Sequence, residues 1–256
     1  MSDSTTSTSR SRTGLMLLRD RIMRGQFRPG DRLYEVEVSK ALGMSRTPLR
    51  QVLASLAHEG LLERRSGGGF VVRKFTLEDA CDAIELRGLL EGTVARRAAE
   101  QGPAETALAA MRSAVEALDR VVGAGAEALD FSAYTEFNAG FHKALAGLAT
   151  SSILAGELAR VLKLPFASPS AFLQAQANVL SFRRTLITAQ SQHQQLLEAI
   201  QRGEGMRAEF IAREHAHQAR ANLETIVRED PGLAESLPGW TLFARNNGRD
   251  AATASP

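Results

Sequence analysis

Within "ALGMSRTPLRQVLASLAHEGLL" (residues 41–62), one helix is stopped and another started in the six residues from Gly43 to Pro48. Gly43 is expected to end the first helix, as glycine commonly does, and Ser45 or Thr47 can cap the free N–H groups of a helix start. Pro48 suits a first turn, where its missing N–H leaves nothing unpaired. Beyond it Leu49, Val52, Leu53 and Leu56 recur at helical spacing and give the second helix a buried stripe. The first helix is expected over 35–42. Two helices joined by so short a glycine turn make a helix-turn-helix.

The flanking segments extend this unit. Residues 13–25 carry Leu15, Leu18 and Ile22 on one helical stripe and end at Gly25, and "RPGD" (28–31) reads as a turn. "LLERR" and "FVVRK" flank "SGGG" (66–69) as the strands of a hairpin. Helices followed by a small hairpin form a winged helix, expected over 13–75. Ahead of it, residues 1–12 are polar and Ser/Thr-rich, expected to be a disordered arm and not a secretory signal. In a helix-turn-helix the start of the second helix enters the major groove. Arg46 and Arg50 lie four residues apart on one face, where guanidinium forks match guanine O6 and N7. Ser45 and Thr47, with the free N–H groups of the helix start, suit phosphate oxygens. A solvated helix start with ordinary surface arginines is the alternative. Charge agrees with a polyanion partner at the front: residues 1–75 hold 14 Lys/Arg against 7 Asp/Glu, and the rest 17 against 22.

From "FTLEDACDAIELRGLLEGTVARRAAEQG" onward the apolar periodicity is helical, starting at a box-like Thr76 and Asp79 and running to about residue 100. Further helices are expected over 104–123, 131–148, 151–164, 170–201 and 204–228. No alternating strand follows residue 75, so the fold class is mainly α: a winged helix-turn-helix, then an all-α bundle over 76–230 and a tail over 231–256. A single cysteine, Cys81, excludes an internal disulfide, fits a reducing cytoplasm, and is read as packing. No apolar run approaches the roughly 20 residues a membrane span needs. The expected location is cytoplasmic, with no membrane partner.

These residues carry a resemblance. "PGDRLYEVEVSKALGMSRTPLRQVLASLAHEGLLERRSGGGFVV" resembles the DNA-binding domain of the GntR family of bacterial transcription regulators, over most of residues 15–74. It departs from the family pattern at Met44, usually valine, and at Gln51, usually glutamate. The resemblance implies that Ser45, Arg46, Thr47 and Arg50 contact operator DNA and that the wing glycines around Gly67 approach the minor groove. "ELRGLLEGTVARRAA", "FHKAL" and "EHAHQAR" are similar to the FadR-type ligand-binding (FCD) domain, over about 78–228.

Four histidines of the bundle fall in suggestive places. Asn138 and His142 are four apart on one helix face, and His193 shares a stripe with Leu196, Leu197 and Ile200. His215 and His217 are two apart, so only one of them faces inward. Neutral imidazoles converging with an oxygen donor suit Zn²⁺ or a similar ion, while hydrogen-bonded core histidines are the bland reading. Metal-binding FadR-type domains have an Asp or Asn four residues before a His, a second His on a later helix and a third opening the last helix. By that resemblance the ligands are Asn138, His142, His193 and His215, with His217 on the solvent side, and the ion is zinc, or nickel or another divalent metal. Asn138 stands where aspartate is commoner. Arg87 shares a face with Ile84, Glu91 and Val94; it can fork onto an effector carboxylate or pair with Glu91. "LPFASPSAF" (164–172) forms either a pocket wall or a plain helix junction.

Two functions follow. The first is a DNA-binding regulator, expected to be a repressor and a homodimer, controlled by a small organic acid near a metal in the bundle. The second is a metal-dependent hydrolase with a fused DNA-tethering domain. The sequence lacks HExxH, GxSxG and a phosphate-binding loop, so the expectation is no enzyme.

Overall fold

A computed structural model describes residues 3–164, 166–170, 179–235, 237 and 239–243. The chain forms two compact units: residues up to Leu77 together with those from Gly239, and Glu78–Pro238.

The first unit holds α1 (Asp3–Met23), β1 (Arg32–Leu33), α2 (Glu35–Leu42), α3 (Arg46–His58), β2 (Leu62–Arg64) and β3 (Phe70–Val72). Leu18 and Ile22 of α1, Val38 of α2 and the Leu49–Val52–Leu53–Leu56 stripe of α3 are buried together. Gly43 ends α2 at φ 61°, its N–H reaching the Ser39 and Lys40 carbonyls. α1 reaches back to Asp3, where a disordered arm was expected; no proline or glycine precedes Gly14, so nothing interrupts the helix. The wing has three antiparallel strands in the order β1–β3–β2, one more than the expected hairpin. Leu33 pairs with Phe70, and Leu62 with Val72. The hairpin turns at Gly68 and Gly69, whose φ values of 86° and 82° side-chain-bearing residues rarely adopt.

The second unit is all helical among the described residues: α4 (Leu77–Gln101), α5 (Glu105–Val122), α6 (Phe131–Ala146), α7 (Ser152–Val161), α8 (Leu180–Gln201), α9 (Gly205–Glu229) and the short α10 (Pro231–Glu235). Asp130 caps α6 by accepting from Ala133 N, and Ser151 caps α7 by accepting from Leu154 N. Of the helix expected over 170–201, Ser168–Ser170 form a turn and bend around Pro169, residues 171–178 lie outside the described residues, and α8 begins at Leu180 after an extended Val179. The core is filled by Met111, Leu118, Phe141, Leu145, Leu196 and Ile200. α4 runs close along α9: a Cβ on Gly88 would sit 2.5 Å from the Ala216 Cβ, and one on Gly92 would sit 3.0 Å from the Glu209 carbonyl. Only glycine lets the two helices meet at those points.

Of the segment expected as a tail, residues 231–235, 237 and 239–243 are described, and they carry structure. α10 is followed by a 3-10 turn, Trp240–Leu242, which returns to the first unit. There the Phe75 N–H donates to the Leu242 carbonyl at 3.0 Å, and Leu242 is fully buried.

Candidate functional site

In the first unit Ser45, Arg46, Thr47 and Arg50 are exposed at the start of α3, with the two arginines one turn apart. Ser45 occupies the N-cap position by its extended backbone, but its side chain makes no capping bond, contrary to one of the two roles expected of it. The hydroxyl and the early N–H groups of α3 therefore remain outward-facing donors. Gly67 stands at the exposed wing tip with open space around it. Arg50 has an unexpected partner: its Nε lies 2.9 and 2.8 Å from the two carboxylate oxygens of Glu35.

In the second unit three imidazoles from three helices converge: His142 of α6, His193 of α8 and His215 of α9, each offering a ring nitrogen within 4.8 Å of the others'. Their outer nitrogens are all engaged. His142 Nδ1 donates to Glu91 Oε1 at 2.8 Å. His193 Nδ1 lies 3.0 Å from Gln190 Oε1; the Gln190 amide nitrogen is used on Val115 O and Asp119 Oδ1, so its oxygen is the acceptor. His215 Nδ1 lies 2.9 Å from Gln192 Oε1. In its neutral form each ring thus carries its proton on Nδ1 and presents a lone pair at Nε2. The Nε2 atoms of His193 and His215 face each other at 3.2 Å, and His142 Nε2 is buried with no partner. Facing lone pairs repel unless a cation lies among them. The donor set fits a divalent ion, with outer partners that fix tautomer and ring orientation.

The electrostatics favour ligand-ready histidines. Burial, then the charges of His215 and His142, push the His193 pKa well below the ordinary imidazole value. His215 is lowered to about 3 by burial, then by His142 and Arg87, against an opposing pull from Glu91. Burial alone would raise the Glu91 carboxyl, but the charge and hydrogen bond of His142, with Arg87 and His215 beyond, hold it below the ordinary range. Arg87 is 2% exposed; its Nη1 donates to the Ala167 carbonyl at 3.0 Å and its Nε lies 3.6 Å from Glu91 Oε2. That Nε has no hydrogen-bond partner.

Beside the histidines lies a cavity of about 60 Å³, lined among others by Arg87, Tyr134, Asn138, His215, Gln218 and Asn222. It has room for about four to six waters, or one small molecule in their place. The two readings of Arg87 meet here, since it pairs with Glu91 and also lines the cavity. Asn138, buried and one turn before His142, lines it too; its amide donates to the Pro169 carbonyl at 3.4 Å. Phe166, Ser168 and Pro169 form part of the wall, so the junction at 164–172 is more than a helix connection where it is described. His217 is exposed and faces a surface groove with Leu89 and Phe210. Cys81 is packed, its thiol pushed up to about 11 by burial and by Glu224, on which it donates at 3.5 Å. Sequence reasoning missed Gln190, Gln192 and Glu35 entirely, and knew Glu91 only as a possible partner of Arg87. The one available signal was the position of Gln190, three residues before His193 on the same helix.

No described helix is long and apolar enough to cross a membrane. The family model described as "Bacterial regulatory proteins, gntR family" matches residues 16–72, and the model described as "FCD domain" matches residues 82–218. The Nta operon transcriptional regulator of Aminobacter aminovorans is 41% identical over 75 residues, 29% of this chain and 36% of that protein. The chain spans about a third of the length of the first curated relatives it matches. An uncharacterized HTH-type transcriptional regulator in an unstable DNA locus of Streptomyces ambofaciens is 26% identical over 240 residues, 90% of this chain and 91% of that one. Among solved structures, E. coli McbR/YncC superposes with a TM-score of 0.60 at 19% identity, covering 86% of this chain and 99% of that one, a likeness of fold.

Proposed function

The chain belongs to the gntR family of bacterial regulatory proteins and carries an FCD domain, and on that premise we propose that it is a DNA-binding transcriptional repressor released by a small organic acid. Ser45, Arg46, Thr47 and Arg50 meet the major groove, and Gly67 lets the wing approach the minor groove. A homodimer sets two such helices at the spacing of a pseudo-palindromic operator.

A divalent ion is held by His142, His193 and His215, with Asn138 as fourth donor. Zinc suits the imidazoles best, and nickel or another divalent ion is the alternative. When bound, the ion supplies a coordination position for a carboxylate oxygen. Arg87, on the cavity wall and with a buried Nε that makes no hydrogen bond, receives the acid's other oxygen. The observation that carries this reading is the convergence of three Nε2 lone pairs beside a cavity that an arginine also lines. A hydrolase reading lacks its base: Glu91, the carboxylate at the cluster, is tied to His142 and Arg87.

The acid shifts the DNA-bound state only by its differential affinity for two arrangements of the protein, and that coupling is reciprocal. The test screens organic acids for release of the protein from its own promoter DNA. The active acid is then titrated calorimetrically with and without operator. Operator is expected to weaken acid binding by the factor by which the acid weakens operator binding. Equal affinities in the two titrations would overturn the mechanism.

A further inference from the structure

The pair between Glu35 and Arg50 joins the first residue of α2 to the DNA-facing side of α3. Both carboxylate oxygens straddle one N–H, that of Arg50 Nε, at 2.9 and 2.8 Å. Among the described residues the four Nη hydrogens of Arg50 donate to nothing. A guanidinium is planar, so holding it at Nε fixes its plane and leaves the outer Nη edge free. That edge is the fork that meets guanine O6 and N7.

The pair is poorly suited to stabilise the fold. Arg50 is 67% exposed and Glu35 28%, and ion pairs that open to solvent contribute little to stability. A carboxylate is also an unfavourable neighbour for DNA, because the first helix of a helix-turn-helix crosses the phosphate backbone. The start of α2, with Glu35 and Glu37 in its first turn, offsets part of that charge through the helix dipole. Glu35 thus weakens indiscriminate attraction to phosphate while orienting one arginine.

We propose that Glu35 is a specificity-determining positioning residue: it orders Arg50 for base reading and lowers affinity for non-operator DNA. The proposal rests on the reading that Arg50 contacts DNA bases. It makes selectivity and bulk affinity respond in opposite directions to one substitution, which neither a structural role nor simple charge repulsion does.

The experiment uses the full chain and two duplexes of equal length, one selected from a random library by the native protein and one scrambled. Binding to both is measured for native protein, Glu35→Gln, Arg50→Ala and the double variant. Glu35→Gln is expected to lower the ratio of selected to scrambled affinity by about threefold to tenfold. Its affinity for the scrambled duplex should be equal to or above native. In the Arg50→Ala background the same change should leave the ratio within twofold, because Glu35 acts through Arg50. An unchanged ratio in Glu35→Gln overturns the proposal, as does an equal loss on both duplexes, or an equal effect with Arg50 absent. Native selectivity in Arg50→Ala would instead overturn the reading of Arg50 itself, so the two failures are distinguishable.

Discussion

Replacing Glu91 by glutamine removes one negative charge from the middle of the bundle and changes almost no volume. The native carboxylate accepts from His142 Nδ1 at 2.8 Å and lies 3.6 Å from Arg87 Nε, with all three groups buried. Neutralising one member of a buried pair costs about 3–5 kcal/mol, because the remaining charge stays in a low-dielectric interior. The glutamine carbonyl can still accept from His142, and a neutral hydrogen bond recovers about 1 kcal/mol. A net loss of about 2–4 kcal/mol is expected, a large part of the roughly 5–15 kcal/mol margin of an ordinary domain. Urea unfolding in the presence of a chelator measures it without a metal's contribution. The sign with pH follows from the lowered pKa of Glu91. Its contribution is complete above the unfolded carboxylate value, about 4.3, and is lost as pH falls through the lower folded value. The gap between native protein and variant should therefore be open at pH 7 and close in acid. Glutamine is also a weaker acceptor for the Nδ1 proton of His142, so metal affinity should fall about 10–100-fold. An unfolding free energy within about 0.5 kcal/mol of native at pH 7 would refute the reasoning, since surface substitutions alone stay in that range.

Arg46→Ala and Arg50→Ala should each weaken specific DNA binding by about 1–3 kcal/mol and relax base preference, read by competition between duplexes. Wild-type discrimination in both would remove the docking model. Elemental analysis of purified His142→Ala, His193→Ala and His215→Ala proteins should find less metal, and of His217→Ala native content; loss confined to His217→Ala would sink the assignment. In metal-free protein, His193 and His215 stay neutral when folded but protonate near pH 6.5 when unfolded. Stability should fall as pH drops below that value, by up to about 1.4 kcal/mol per pH unit for each ring, and a flat acid limb would contradict it. Gly88→Val should destabilise by about 1–3 kcal/mol or more through overpacking against Ala216, measured by thermal unfolding, and native stability would mean that the helix contact is loose.

What was legible in the sequence was local. Gly43, Pro48 and the Leu49–Leu56 stripe act within one turn of themselves, so α2 could be bounded to the residue and the start of α3 placed at Ser45 or Thr47. His193 was legible as inward-facing from its apolar stripe, His142 and His215 were picked out by the family resemblance, and only the fold brings the three together. The partners of those rings were not legible. Gln190 and Gln192 are ordinary polar residues until α8 packs against α9 and α5, and nothing in their spacing says which nitrogen they will meet. β1 has two residues, too few for alternation, and exists because β3 offers an edge. The ion pair of Glu35 depends on the angle between α2 and α3. The docking of Leu242 on Phe75 depends on contacts between residues far apart in the chain, which no local window reports.

That docking gives the DNA-binding unit an unusual calendar. The bundle, Glu78–Pro238, is an insertion in the first unit, since the chain leaves after Leu77 and comes back at Gly239. At synthesis rates of roughly 5–20 residues per second, the return segment emerges on the order of 10–30 s after the wing. Through that interval the nascent winged helix exposes the apolar site that Leu242 will fill. The length of the intervening chain adds little to the cost of that closure, because the entropy grows only with the logarithm of loop length. The unit whose synthesis begins first is completed only after the whole bundle has been made.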